Sequence, residues 1–254
     1  MSERKRLEFR NLPLQQVVLR LVVAEPIPVN IRFITDLWSE LRKGDFFTEI
    51  RAPQQVEFAP AVENTMSLTQ STPAEFWNEN TQVAVAVFPL VLTAIWRRGR
   101  KGGNYPRFEA LEEAMRCAIE GILSLTKLDR LSCRLMNLAY VNVIDEVENE
   151  SGIIQRYLGP DFQIGKREQT KLIHELNLNW REDDNVDVRL ELTRQVSQKD
   201  GAEKPSYFLA TVAGCNALPT DNIRDLGLRL NDRLNSLFPQ MISQEAQADW
   251  QLES

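Results

Sequence analysis

Histidine is almost missing from this chain: among 254 residues, His174 is the only imidazole. A zinc site needs three or four ligands, and a general base needs a positioned partner. One histidine sharing a strand face with Leu172, Leu176, Leu178 and Trp180 therefore reads as a core or interface side chain. Cysteine is also scarce. Cys117, Cys133 and Cys215 are an odd, widely spaced set with no CxxC pair, which argues against a disulfide framework and for reduced, buried small hydrophobes. GxxxxGK[ST], GxGxxG and HExxH do not occur, so the common phosphate-cradling and zinc-protease patterns are excluded. Long apolar runs are missing too. Val83 to Trp96 is uncharged over 14 residues, short of the ~20 that a spanning helix requires. Met1 to Arg10 is charged and has no apolar segment of the signal-peptide kind. These absences lead to the expectation of a cytoplasmic, non-membrane protein with no metal, no cofactor and no catalytic residues.

The chain does have the means to fold. Apolar residues make up 43% and charged residues 26%, an ordinary balance for a globular protein with a buried core. The formal charge of -6 favours solubility and works against general affinity for nucleic acid.

The order of elements appears twice. From Leu14 to Thr126 the pattern predicts strand, helix, strand, paired strands and long helix. From Leu131 to Met241 it predicts strand, short helix, three strands and long helix. In the first strand Val17, Leu19, Leu21 and Val23 alternate with Val18, Arg20, Val22 and Ala24, the period of a sheet. Asn30 stands where an N-cap belongs, before Ile31, Ile34, Leu37, Trp38 and Leu41 at helical spacing, and Gly44 is a candidate stop. Residues 54–70 hold a candidate strand, and Ser71 to Asn80 reads as a polar turn. Pro89 and the β-branched residues around it divide Val83–Trp96 into two buried strands. Tyr105-Pro106 marks a helix start, because proline loses nothing at the first helical position. Phe108, Leu111, Met115, Ile119, Ile122 and Leu125 continue it.

In the second pass, Leu131 to Ile144 reads as a strand and Ile153 to Leu158 as a short helix. Leu172–Trp180, Val186–Leu192 and Phe208–Val212 read as a meander, with Glu182–Asn185 and Ser197–Pro205 as its turns. A final helix runs through Leu226, Leu230, Leu234, Leu237 and Phe238 and stops near Pro239. The expected fold class is α+β, with two tandem units at 11–127 and 128–254, each an antiparallel sheet covered by a long helix.

Several stretches carry a resemblance. Ile95-Trp96-Arg97-Arg98 followed by Tyr105-Pro106-Arg107-Phe108, then Asn137-Leu138-Ala139-Tyr140-Val141-Asn142, and Ser236 to Ala246 stand in this order along most of the chain. Together they resemble a sporadically distributed, uncharacterised bacterial protein family of about this length. Gln15-Gln16 stands where that family favours glutamate, and Asn231 where it favours histidine. The family has no assigned catalytic residues, so the resemblance implies none. In topology each half also resembles the export chaperone SecB. That likeness implies binding of a protein or an unfolded polypeptide, a chaperone-like or antitoxin-like role, and sheets that pair edge to edge into homo-oligomers. It is an analogy of fold, and fold does not dictate function.

Two sets of residues are candidates for binding. Trp38, Phe46, Phe47 and Trp77 lie near the ends of predicted elements and are candidate contacts for a polypeptide partner, with core packing as the competing reading. Arg97, Arg98, Arg100, Lys101 and Arg107 form the densest basic cluster, with no acid among residues 97–107. Guanidinium forks match phosphate and carboxylate geometry. This segment is the candidate anion site, and the alternative function is a nucleic-acid or nucleotide sensor. The competing reading is a solvated connection. The acidic stretches Asp145–Glu150 and Glu182–Asp184 read as solvated loops.

Overall fold

A computed structural model describes residues 8–9, 13–51, 75–98, 105–144, 156–158, 175–181, 185–199, 202–217, 222–250 and 252–253. The fold is α+β. Its main element is one nine-stranded sheet in the order β3-β4-β5-β6-β2-β7-β10-β9-β8, and every neighbouring pair in it is antiparallel. The strands are β2 (Leu14–Val23), β3 (Glu49–Arg51), β4 (Glu75–Asn78), β5 (Val83–Val87), β6 (Val91–Arg97), β7 (Cys133–Ile144), β8 (Glu175–Arg181), β9 (Val186–Lys199) and β10 (Ala202–Asn216). A separate ribbon pairs β1 (Glu8–Phe9) with β11 (Leu252–Glu253). The helices are α1 (Ile31–Leu41), α2 (Phe108–Thr126), α3 (Ile223–Met241) and the short α4 (Gln244–Asp249).

Among the described residues the two meanders return in the same way, although α1 and β3 of the first half have no described counterpart in the second. β4-β5-β6 is a meander whose last strand returns beside β2, and β8-β9-β10 is a meander whose last strand returns beside β7. The two opening strands, β2 and β7, then pair with each other from Leu14↔Asn142 to Val23↔Cys133. Each long helix lies on the strands of its own half, α2 on β5 and β6, α3 on β7 and β10. Side chains from both halves nonetheless join one core, because β2–β7 pairing leaves no sheet edge between them.

The alternation of β2 decides which face is which. Val17, Leu19, Leu21 and Val23 point into the main core beneath the helices. Val18 belongs to a second, smaller cluster on the opposite face with Ala84, Ile95, Ala139 and Val212. Helix α2 buries Phe108, Leu111, Ala114, Met115, Ala118 and Ile122, one stripe at intervals of three and four. Asn30 caps α1 by accepting the Phe33 N–H at 2.9 Å.

Four expectations change. The polar stretch Ser71–Asn80 contains β4, because its polar residues have partners: Glu75 pairs with Arg97, and the Asn78 amide donates to the Phe46 carbonyl at 2.6 Å. The Ser197–Pro205 turn is shorter than its composition implies. β9 and β10 stay paired through Val196↔Pro205 to Lys199↔Ala202 as a ribbon, in which Val196 is exposed. Pro106 precedes α2 instead of opening it. Arg107, at φ 75°, is the residue that turns into the helix. Pro239 does not stop α3, which runs to Met241. Side-chain amides take up carbonyls in that last turn, Gln240 on Ser236 at 2.7 Å and Gln247 on Pro239 at 2.8 Å.

Residues 54–70, His174, the loops 145–150 and 182–184, and the first half of the predicted helix Ile153–Leu158 lie outside the described residues. Among those described, no helix is long and apolar enough to cross a membrane.

Candidate functional site

The helices leave a cleft between them. α2 and α3 sit over different strands of one face and touch each other sparingly, and Leu19 of β2 lines the gap from below. The cleft holds about 410 Å³, within the range of ligand pockets. Phe108, Met115, Ile119 and Leu123 of α2, with Leu131, Ile223 and Gly227, supply an apolar lining. Sequence position explains it: Met115, Ile119 and Leu123 recur every fourth residue, so one edge of the apolar stripe turns from the sheet toward α3. Gly227 lets the helix approach Phe108 closely. A Cβ there would stand 3.1 Å from the Phe108 ring.

The rim is charged and of both signs: Glu112, Arg116, Glu120, Asp129, Arg130 and Arg224. Arg116 is held by Glu113 and Glu120 on its own helix. The hydrogen bond from Arg116 lowers the Glu113 carboxyl below the usual range. Arg224 reaches across from α3 to Glu112 at 3.7 Å. Beside them, burial first and Glu113 second push the Cys117 thiol up to about 11, the opposite of an activated nucleophile.

A buried polar seam lies under the same helices. The indole of Trp96 meets the Tyr105 ring edge-on at 5.3 Å, and Tyr105 meets Tyr140 at 6.0 Å. The Tyr140 hydroxyl donates to Asn231 of α3 at 2.7 Å. Burial, before the proximity of Tyr140, raises the Tyr105 phenol well above its usual value. Asn142, fully buried two residues further along β7, has neither amide atom hydrogen-bonded. The residues that stand out in the sequence as separate motifs thus meet in space.

The proposed partner contacts do not form one surface. Trp38 stacks on Phe76 at 6.1 Å, Phe46 packs edge-on to Phe47 at 4.9 Å, and Phe47 meets Phe76 at 6.2 Å. These three contribute to the core where α1 meets the outer strands. Trp77 is on the other face of β4, under the Arg51 guanidinium at 4.3 Å from its ring centroid.

The basic segment is split as well. Arg97 is doubly hydrogen-bonded to Glu75, each N–O distance 3.2 Å. The acid that residues 97–107 lack comes from β4, brought alongside by the meander. Arg98 and Arg107 are exposed, and Arg107 has an interaction partner of its own. Arg100 and Lys101 are outside the described residues. Among the described residues, no group of three or more His, Cys, Asp or Glu is placed to hold a metal ion.

Comparison with protein-family models finds no match, and comparison with curated proteins finds none.

Proposed function

We propose that the chain is a non-enzymatic binding module, two SecB-like units in one polypeptide, which holds an extended or helical segment of a partner protein in the cleft between α2 and α3. The observation that carries this reading is the cleft itself: a space of about 410 Å³ between two helices, with an apolar floor inside a charged rim. Such a groove takes apolar side chains of a peptide, while rim charges of both signs meet its polar groups. The repeated strand order, with each meander returning beside its opening strand, supports the SecB-like reading and a chaperone-like or antitoxin-like role. The nucleic-acid or nucleotide alternative loses support at Arg97, whose charge Glu75 already balances.

The test is binding of a permanently unfolded, carboxymethylated polypeptide followed by fluorescence anisotropy. Ile119→Glu with Leu123→Glu places two charges on the cleft wall and should weaken binding at least tenfold. Neutralising Arg98 and Arg107 should not change it. Binding that survives the cleft variant, or that falls steeply with salt and with loss of the arginines, rejects the cleft and returns the basic segment to first place.

A further inference from the structure

On the sheet face away from α2 and α3, one buried charge among the described residues has no opposite charge paired with it. Among the described residues, three ionisable side chains are buried there: Arg20, Glu75 and Glu191. Glu75 is taken by Arg97 at 3.2 Å, and Glu191 by Arg189 at 3.0 Å. Arg20 is left over. It is 5% exposed, its Nε has no hydrogen-bond partner, and no carboxylate among the described residues pairs with it. A guanidinium does not escape burial by losing its proton. A guanidinium so largely buried is destabilising unless something supplies the opposite charge.

The neighbours of Arg20 add a second unmet donor. Strand register places Thr93 on one side of it and Asn137 on the other, in one row across β6, β2 and β7. Side chains so paired on one face are about 5 Å apart at Cβ. The next position in the row is Gly214 of β10. The Asn137 carbonyl oxygen rests over it, at 2.2 Å from where a Cβ would stand, and the Asn137 amide nitrogen is buried with no acceptor. Two adjacent donors, one of them cationic, thus lack an acceptor. The adjoining row, Ala84, Ile95, Val18, Ala139 and Val212, is apolar, which lowers the local dielectric and strengthens any ion pair formed beside it.

We propose that Arg20 and Asn137, flanked by Thr93, bind the oxyanion group of a small ligand, with a singly charged carboxylate as the best match to one guanidinium. The planar fork of Arg20 would take the two oxygens, and the Asn137 amide would donate to one of them. The depth of Arg20 excludes a nucleic-acid backbone, which cannot bring its phosphates to a side chain so nearly enclosed. This site lies on the opposite face from the cleft and stands or falls separately from it.

The experiment uses the full chain and sodium acetate, with inorganic phosphate and sodium chloride at matched ionic strength. Acetate should raise Tm in proportion to the logarithm of its concentration once the site fills. In ¹⁵N-resolved NMR it should shift the Arg20 Nε–H and the Asn137 side-chain amide ahead of all other signals. Arg20→Met should abolish the acetate effect, and Asn137→Ala should weaken binding about tenfold, the loss of one charge-assisted hydrogen bond. Arg20→Met should fold, because it removes a buried charge without leaving another unpaired. Phosphate acting at lower concentration than acetate, with the same two signals moving, keeps the site and assigns it to a phosphoryl group. An effect equalled by chloride, an acetate shift that persists in Arg20→Met, or NMR changes that bypass Arg20 and Asn137 overturns the proposal. So does the absence of any saturable effect.

Discussion

Glu75→Gln tests whether Arg97 is a structural cation or an available one. The pair has 3.2 Å contacts through both guanidinium nitrogens, with side-chain exposure of 3% for Glu75 and 16% for Arg97. At about 4 Å and an effective dielectric of ~20, the gross attraction is ~4 kcal/mol. Desolvation offsets much of that, but removing one partner leaves the other charge uncompensated, which costs ~3–5 kcal/mol when both are fully buried. Arg97 retains some solvent, so the cost expected for Glu75→Gln is about 2–3 kcal/mol. Replacing both residues, Glu75→Leu with Arg97→Met, should bring the chain back to within about 1 kcal/mol of the parent. Urea unfolding of the parent, both single variants and the double variant reads this directly, as midpoint changes at constant m-value. A Glu75→Gln penalty below about 1 kcal/mol would refute the reasoning. Arg97 would then behave as a surface charge, and the basic segment would regain its place as an anion site.

Tyr140→Phe should destabilise the fold by about 1–2 kcal/mol, because Asn231, only 4% exposed, loses the hydroxyl it accepts from; thermal or urea unfolding checks this, and a neutral result would show that the seam is not held by that bond. Cys117 should resist alkylation at pH 8, since its thiol is pushed up to about 11, and its rate should climb until the pH approaches that value. The sign for stability follows: the folded chain holds this proton more tightly than the unfolded one, so the contribution is complete below the unfolded thiol value of ~8.5 and is lost as pH rises toward 11. Iodoacetamide kinetics across pH 7–11 are the measurement, and a fast reaction at pH 7 would contradict the burial argument.

Local pattern alone fixed much of this protein. The alternation of Val17 to Val23, the Asn30 cap, the break at Pro89 and the apolar stripe from Phe108 to Leu125 each depend on neighbours within a turn or a strand, so they are legible without a fold. Tertiary structure decided whatever depends on which strands become neighbours. β2–β7 pairing merges the two halves into one sheet and one core, and no local signal states it. The partner of Arg97 lies 22 residues away in a stretch whose polarity reads as a turn. The cleft lining was visible only as an amphipathic face, since the sequence sets which residues are apolar but not that α3 stops short of covering Ile119 and Leu123. Arg20 shows the limit most plainly. Alternation places it opposite the core, where an arginine is expected in water. Only the assembled sheet buries it, and among the described residues no carboxylate pairs with it.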